Sequence, residues 1–283
     1  MQTILSIQSH VVYGYVGNKA AVYPLQSLGF DVWPINTVQF SNHTGYGMWQ
    51  GEIFSKDHIL NLVNGIFDIG YAHKCAAILT GYMGSQEICE AVKEIVLKFK
   101  ASNPDIIYLC DPVIGNNSCY VKPEVLDFFK SELSADIITP NQYEAEVLSG
   151  IAIKSITDLL TVAKYFHARG IKIIVITGVK FEGDSSLHIF ASDGQKGSLL
   201  STPELHSIAP INGTGDLFSS TFLGVYLMHR DVEMALRCAA FYLQTAIQKT
   251  IDSGERELQV LSVDYKHIEP NKLPEIIKLR KSC

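Results

Sequence analysis

Short runs rich in aliphatic and β-branched residues alternate with longer helical patterns along most of this chain, and that rhythm most restricts what it can fold into. Thr3–Gln8, Asp31–Ile35, Cys75–Leu79, Ile106–Cys110, Ile137–Thr139 and Lys172–Thr177 read as strands. Between them the clearest helix is 85–100, where Ile88, Ala91, Val92, Ile95, Val96 and Phe99 share one face and Ser85 is placed to cap the first turn. Residues 155–169 give another, and 216–228 followed by 232–249 give two strongly apolar helices expected deep against the sheet. Strands separated by helices predict a parallel sheet with helices on both faces. The alternation weakens around 186–202, where Ser186–Ala191 and Gly197–Thr202 flank a polar turn, so the sheet is expected to end in antiparallel strands. With no repeat, low-complexity stretch or linker, residues 1–283 read as a single α/β domain.

With 47% hydrophobic and 18% charged residues, the chain can bury a substantial core. Its net charge of −6 and lack of any Lys/Arg run disfavour a nucleic-acid surface, while a small anion such as a nucleotide remains compatible, since backbone N–H groups can hold phosphate locally. The most apolar stretch, Leu217 to Met228, is broken by Ser219, Ser220 and Thr221 and falls short of the roughly 20 residues that span a bilayer. The N-terminal residues lack the pattern of a leader, so a cytoplasmic protein is expected. Its six cysteines, without a CxxC pair, are expected to be free thiols and to form neither disulfides nor a zinc site.

Ligands of open α/β sheets bind beyond the carboxyl ends of the parallel strands, so polar residues there carry the functional reading. Asn212-Gly213-Thr214-Gly215-Asp216 precedes an apolar helix. Its glycines permit backbone angles that turn successive N–H groups toward one point at the positive end of the helix dipole, an anion hole. Asp216, in the first turn, could accept a proton from an attacking hydroxyl, or it could be an ordinary N-cap. The segment fits neither GxGxxG nor the Walker A pattern.

Other strand ends offer weaker signals. Asp111-Pro112-Val113-Ile114-Gly115 would present a carboxylate to Mg²⁺ or its waters, or form a simple Asp-Pro turn. In Thr139-Pro140-Asn141-Gln142-Tyr143-Glu144, a helix starting near Asn141 would set Asn141 and Glu144 on one face, for metal waters and phosphate or as a capping box. Ser9 to Asn18 and Phe40 to Gly47 are rich in aromatics, amides and glycine, suiting a heteroaromatic ring or a mobile flap as well as solvated loops. Tyr82 follows a strand and could pack on a ligand ring or plug the core.

Taken in order, Ser9–Asn18, Val38–Gly45, Asp111–Gly115, Asp136–Gly150 and Gly213–Asp216 resemble the signature blocks of the pyridoxal kinase family, in the ribokinase-like superfamily, and the likeness runs across nearly the whole chain. The resemblance implies phosphorylation of the hydroxymethyl group of pyridoxal, and by extension pyridoxamine or pyridoxine, by ATP with Mg²⁺, in vitamin B6 salvage. It makes Asp216 the catalytic base and Gly213, Thr214 and Gly215 the anion hole. Ser9, Thr44 and Gly45 would contact the pyridine, with His43 and Tyr82 close by. Asp111, Thr139, Asn141, Glu144 and Thr177 would surround the ATP phosphates, with Asp111 and Glu144 toward the metal, partly through water, and Tyr120 on a loop near the nucleotide. The stretch 201–210 would border adenine or ribose, with Pro203 to Leu205 carried over. Asn116 and Gly178 stand where some relatives carry Asp and Ser. Relatives are commonly homodimers, which is the assembly expected here. Two rival readings remain: a hydroxymethylpyrimidine kinase, which shares the fold and mechanism, and a non-catalytic reservoir that binds a B6 vitamer, against which the intact Asp216 argues.

Overall fold

Strands buried on both faces must be apolar at consecutive positions, and Ile4, Leu5 and Ile7 of the first strand are all fully buried. The computed structural model describes residues 1–207, 209–268 and 270–279. Among these residues β1 (Thr3–Val11), β2 (Asp31–Phe40), β3 (Gly51–Ile53), β4 (Cys75–Thr80), β5 (Ile107–Cys110), β6 (Ile137–Ile138), β7 (Ile173–Val179), β8 (Ser186–Ser192), β9 (Gly197–Pro203) and β10 (Ile276–Leu279) form one sheet. Its order is β10-β9-β8-β7-β6-β5-β4-β1-β2-β3. The strands from β2 through β1, β4, β5 and β6 to β7 are parallel. β3 is antiparallel at one edge, and β8, β9 and β10 are antiparallel at the other, where the expected hairpin forms.

Alternate side chains feed two cores. Leu5, Ile7 and Ile78 point to the face covered by α2 (Lys56–Asp68), α3 (Gln86–Ser102), α4 (Pro123–Glu132), α5 (Gln142–Ser149) and α6 (Ile156–Ala168). Ile4, Ala77 and Leu79 point to the face covered by α1 (Asn18–Ser27), α7 (Thr214–His229) and α8 (Val232–Ser253). The Ser85 hydroxyl accepts the Ile88 N–H at 3.3 Å, capping α3 as its sequence predicts. Every residue of α7 from Leu217 to Val225 is buried. Ser220 and Thr221 are tolerated there because both hydroxyls donate to the Leu217 carbonyl, at 3.0 and 2.7 Å.

The strands beside the site run further than their apolar cores suggest, β1 to Val11 and β2 to Phe40, because the two continue to pair beyond the sheet's centre. Their register slips between Gln8 and His10, at Ser9, an irregularity of the kind that re-aims side chains next to binding sites. Cys75, Cys89, Cys110 and Cys238 are buried free thiols and Cys119 is an exposed one, while Cys283 lies outside the described residues. No described helix is long and apolar enough to cross a membrane.

Candidate active site

Asp111, Thr139 and the α7 residue Ser219 are joined by hydrogen bonds at the carboxyl ends of the strands. Asp111 directly follows β5 and Thr139 directly follows β6, so parallel pairing brings their side chains to one edge. The Ser219 hydroxyl donates to Asp111 Oδ2 at 3.2 Å and lies 2.8 Å from Thr139 Oγ1. Gly215 stands beside them: a methyl group on its Cα would sit 3.4 Å from Asp111 Oδ2. Thr177 closes this side, its N–H donating to the Pro140 carbonyl at 2.9 Å where β7 breaks its pairing with β8.

Glu144 realises the capping box and extends it. Its Oε2 accepts the Asn141 N–H at 2.9 Å, while Asn141 Oδ1 accepts the Glu144 N–H at 2.9 Å. Its Oε1 accepts the N–H groups of Ile114 and Gly115 at 2.9 and 3.3 Å, and Asn141 Nδ2 donates to the Gly115 carbonyl at 2.8 Å. This buried carboxylate therefore fixes the loop after Asp111 to the start of α5. Gly115 is required at its position, since a Cβ would fall 2.0 Å from the Ser118 carbonyl oxygen. Tyr120, at the end of that loop, is exposed and within electrostatic reach of Glu144, Asp111 and Asp216.

Asp216 is not the N-cap of α7. That place is taken by Gly213 at φ 83, whose missing side chain admits the Tyr15 carbonyl, 1.9 Å from where a Cβ would be. Asp216 lies in the first turn, and its Oδ2 accepts the Gly17 N–H at 2.8 Å. Gly17, at φ 55, packs on Ser9, whose carbonyl oxygen and Oγ lie 2.0 and 2.5 Å from the place of a Cβ. Ser9, Gly17 and Asp216 thus form a connected series from β1 to α7.

Thr44, Gly45 and His43 occupy a short 3-10 turn beyond β2, and His43 Nδ1 accepts the Gly45 N–H at 3.1 Å. Burial lowers the His43 pKa, helped by Arg256 and opposed by Glu257, which favours the neutral ring that this acceptor role requires. Tyr82 packs on Val11, Val16, Val38 and Phe40, while Thr37 donates to its carbonyl at 2.9 Å. These residues form an aromatic and aliphatic cluster at the ends of β1 and β2.

Burial raises the pKa of Asp111 well above the carboxylate range, reinforced by the charges of Glu144 and Asp216. Burial also raises Asp216, opposed by the Gly17 N–H, and brings Glu144 to about 7 despite its backbone donors. Among the described residues none of the three carboxylates has a lysine or arginine salt-bridge partner. Nor do three His, Cys, Asp or Glu side chains among them converge as a ready-made metal cage. Buried carboxyl groups with raised pKa values and no cationic side chain beside them, short of a full ligand set, fit Mg²⁺, whose charge would favour their ionised forms and which keeps waters and shares phosphate oxygens with few carboxylates. Glu144, with three N–H donors already on its oxygens, suits support of that position better than direct ligation.

Asp111, Thr139, Glu144, Asn141, Thr177, Ser219 and the Gly213–Asp216 turn therefore gather into one group at the strand ends, and Ser9, Gly17, Tyr82 and the 43–45 segment form a second group beyond β1, β2 and β4. Sequence reasoning missed Ser219, read only as an interruption of an apolar helix, and Glu257. Glu257 is buried yet hydrogen-bonded to both loops of the second group, to the Tyr15 N–H at 3.1 Å and the Tyr46 hydroxyl at 2.5 Å. Nothing local to residue 257 marks it. Pro203 to Leu205 are at and just beyond the end of β9, and Ile208 lies outside the described residues.

Comparison with known proteins places this geometry among relatives. Residues 57–261 match the family model described as phosphomethylpyrimidine kinase. Pyridoxal kinase PdxY of Vibrio vulnificus is 39% identical over 277 residues, covering 96% of each chain. Pyridoxal kinase PdxY of Granulibacter bethesdensis is 39% identical over 278 residues, covering 95% of this chain and 96% of its own. Among solved structures, pyridoxal kinase from Leishmania donovani in complex with ADP and pyridoxamine superposes with a TM-score of 0.91 at 31% identity, covering 99% of this chain and 100% of that one. The same enzyme with ADP and pyridoxine gives 0.90 at 32% identity, covering 98% and 99%. The α/β fold is thus the ribokinase-like fold of those kinases.

Proposed function

The chain belongs to the pyridoxal kinase family, and from that premise we propose that it transfers the γ-phosphoryl of ATP to the hydroxymethyl oxygen of pyridoxal, with pyridoxamine and pyridoxine as further substrates. The observation that carries this reading is Asp216, set in the first turn of α7 behind the Gly213–Gly215 backbone and fixed there by the Gly17 N–H from the loop after β1. The family-model match begins at residue 57, beyond both loops of the ring-binding side, whereas the likeness to the pyridoxal kinases takes in nearly the whole chain. That favours a B6 vitamer over hydroxymethylpyrimidine as the ring.

Asp216 accepts the proton of the substrate hydroxyl as its oxygen attacks the γ-phosphorus in line, and ADP leaves from the opposite side. Its raised pKa makes it a stronger base than a solvated aspartate, and the Gly17 N–H fixes the oxygen that does not take the proton. The N–H groups of Gly213, Thr214 and Gly215, at the positive end of a 16-residue helix, receive the charge spreading over the phosphoryl oxygens. Ser9, Thr44 and Gly45 orient the pyridine, with His43 and Tyr82 beside it. Asp111, Thr139, Asn141 and Thr177 line the phosphate side, with Tyr120 on the loop above.

Mg²⁺ would be held by Asp111 and the position Glu144 supports, and it would neutralise phosphate charge. We place the whole chain, residues 1–283, in one kinase domain that works as a cytoplasmic homodimer. The test is to mix purified protein with Mg-ATP and, separately, pyridoxal, pyridoxamine, pyridoxine and hydroxymethylpyrimidine, and to identify the product by mass. Phosphorylated vitamer is the expected result. Product from the pyrimidine alone would move the chain to the rival activity, and vitamer binding without product would make it a reservoir.

A further inference from the structure

One buried carboxylate is neither a helix cap nor part of a surface pair. Glu257 lies between α8 and the 3-10 turn Val260–Ser262, only 8% exposed. Its Oε2 accepts the Tyr15 N–H and its Oε1 accepts the Tyr46 hydroxyl. Gly14, at φ +93, makes room for it: a Cβ there would stand 2.2 Å from Oε2. The Arg256 guanidinium lies 3.7 Å from the centre of the Tyr46 ring, and Tyr13 meets that ring edge-on at 6.1 Å.

Each arm of this carboxylate leads to the proposed chemistry. Tyr15 precedes Gly17, whose N–H holds Asp216, and Tyr46 closes the turn that carries Thr44 and Gly45. The two oxygens of one carboxylate are rigidly related, so displacing Tyr46 displaces the acceptor on which Tyr15 rests. We propose that Glu257 is a positioning residue that couples seating of the 43–47 segment on the vitamer to orientation of the base. It touches no reacting atom, so its whole effect passes through the geometry of Asp216 and the segment. The inference rests on the kinase reading of this same site.

The test compares kcat and KM for pyridoxal in the full chain and its variants. Tyr46→Phe removes one hydrogen bond and is expected to raise KM about 5-fold while kcat stays within about 2-fold. Glu257→Ala removes both arms, so kcat is expected to fall about 10-fold along with the rise in KM, and adding Tyr46→Phe to it changes little further. Glu257→Gln, whose amide can accept from Tyr15 and donate to the Tyr46 oxygen, is expected to recover most of the lost kcat. A Glu257→Ala protein that melts earlier but keeps wild-type kcat and KM per folded molecule would overturn the inference, as would additive effects of the two substitutions. Should Glu257→Ala not fold, an unchanged KM in Tyr46→Phe overturns it alone. A wild type that yields no pyridoxal product overturns the kinase reading and the inference with it, whereas an active wild type matched by its variants overturns the inference only.

Discussion

The two groups of site residues are held by different means. On the proposed phosphate side Asp111, Thr139 and Glu144 sit at strand ends or in a first helical turn, and their contacts come from Ser219 on α7 and from the loop after Asp111. On the proposed ring side the Val12 and Tyr13 N–H groups still donate to the Phe40 and Ser41 carbonyls at the end of β2, and the two loops are further tied together by Glu257, which is 242 residues from Tyr15 and 211 from Tyr46. The first arrangement is fixed before any ligand arrives, which suits a chemistry that depends on preorganised charge. The second is anchored at a few points and leaves Thr44 and Gly45 exposed, which suits a segment that closes over its substrate.

The largest expected effect lies at the seam. Gly17→Ala forces a left-handed backbone position and drives a Cβ into the Ser9 backbone, so strain of about 1–3 kcal/mol and overpacking of about 1–3 kcal/mol should add. Urea unfolding should show that loss, and both halves should lose activity together; full stability would break the view of Gly17 as their junction. Next come substitutions confined to one half. Glu144→Gln leaves one of three N–H groups facing an amide NH₂, costing about 1–3 kcal/mol, and should raise KM for ATP while sparing KM for pyridoxal. Tyr82→Ala should do the reverse, at about 1 kcal/mol. Crossed effects in steady-state kinetics would erase the division.

The smallest effect is electrostatic. Burial lifts the Glu144 pKa from 4.5 to about 7, so the folded protein binds more protons than the unfolded chain between those values. The stability it contributes is complete below 4.5 and is lost as pH rises through about 7, and the raised Asp111 and Asp216 act in the same sense. Melting temperature should therefore drift downward over this window in the absence of ligand, and Mg-ADP should flatten the slope by neutralising the carboxylates. A ligand-independent slope would mean that the phosphate side is not where the charge is stored.

This contrast also explains what the sequence made legible. Strand and helix periods exposed the parallel sheet, and Asp111, Thr139 and Asp216 were visible because each stands a fixed, short distance from an element end. The capping residues Ser85 and Asn141 were legible for the same reason. Helix α1 was not, since it begins at Gly17 without a side-chain cap and contains Pro24. The exposed edge strand β3 carries no apolar alternation to announce it. Ser219 and Glu257 were hidden more deeply, because their roles come from packing α7 and the end of α8 against distant segments. The Asp216 carboxylate joins both worlds: its place in the first turn is local, while the Gly17 N–H that orients it arrives from 199 residues away.

The most direct test is therefore Asp216→Asn, assayed for binding of pyridoxal and ATP and, separately, for turnover to the phosphorylated vitamer. Both ligands should still bind while turnover falls by about 10²- to 10⁴-fold. Turnover at the wild-type rate would contradict the assignment of Asp216 as base, because the proton of the attacking hydroxyl would then have another acceptor.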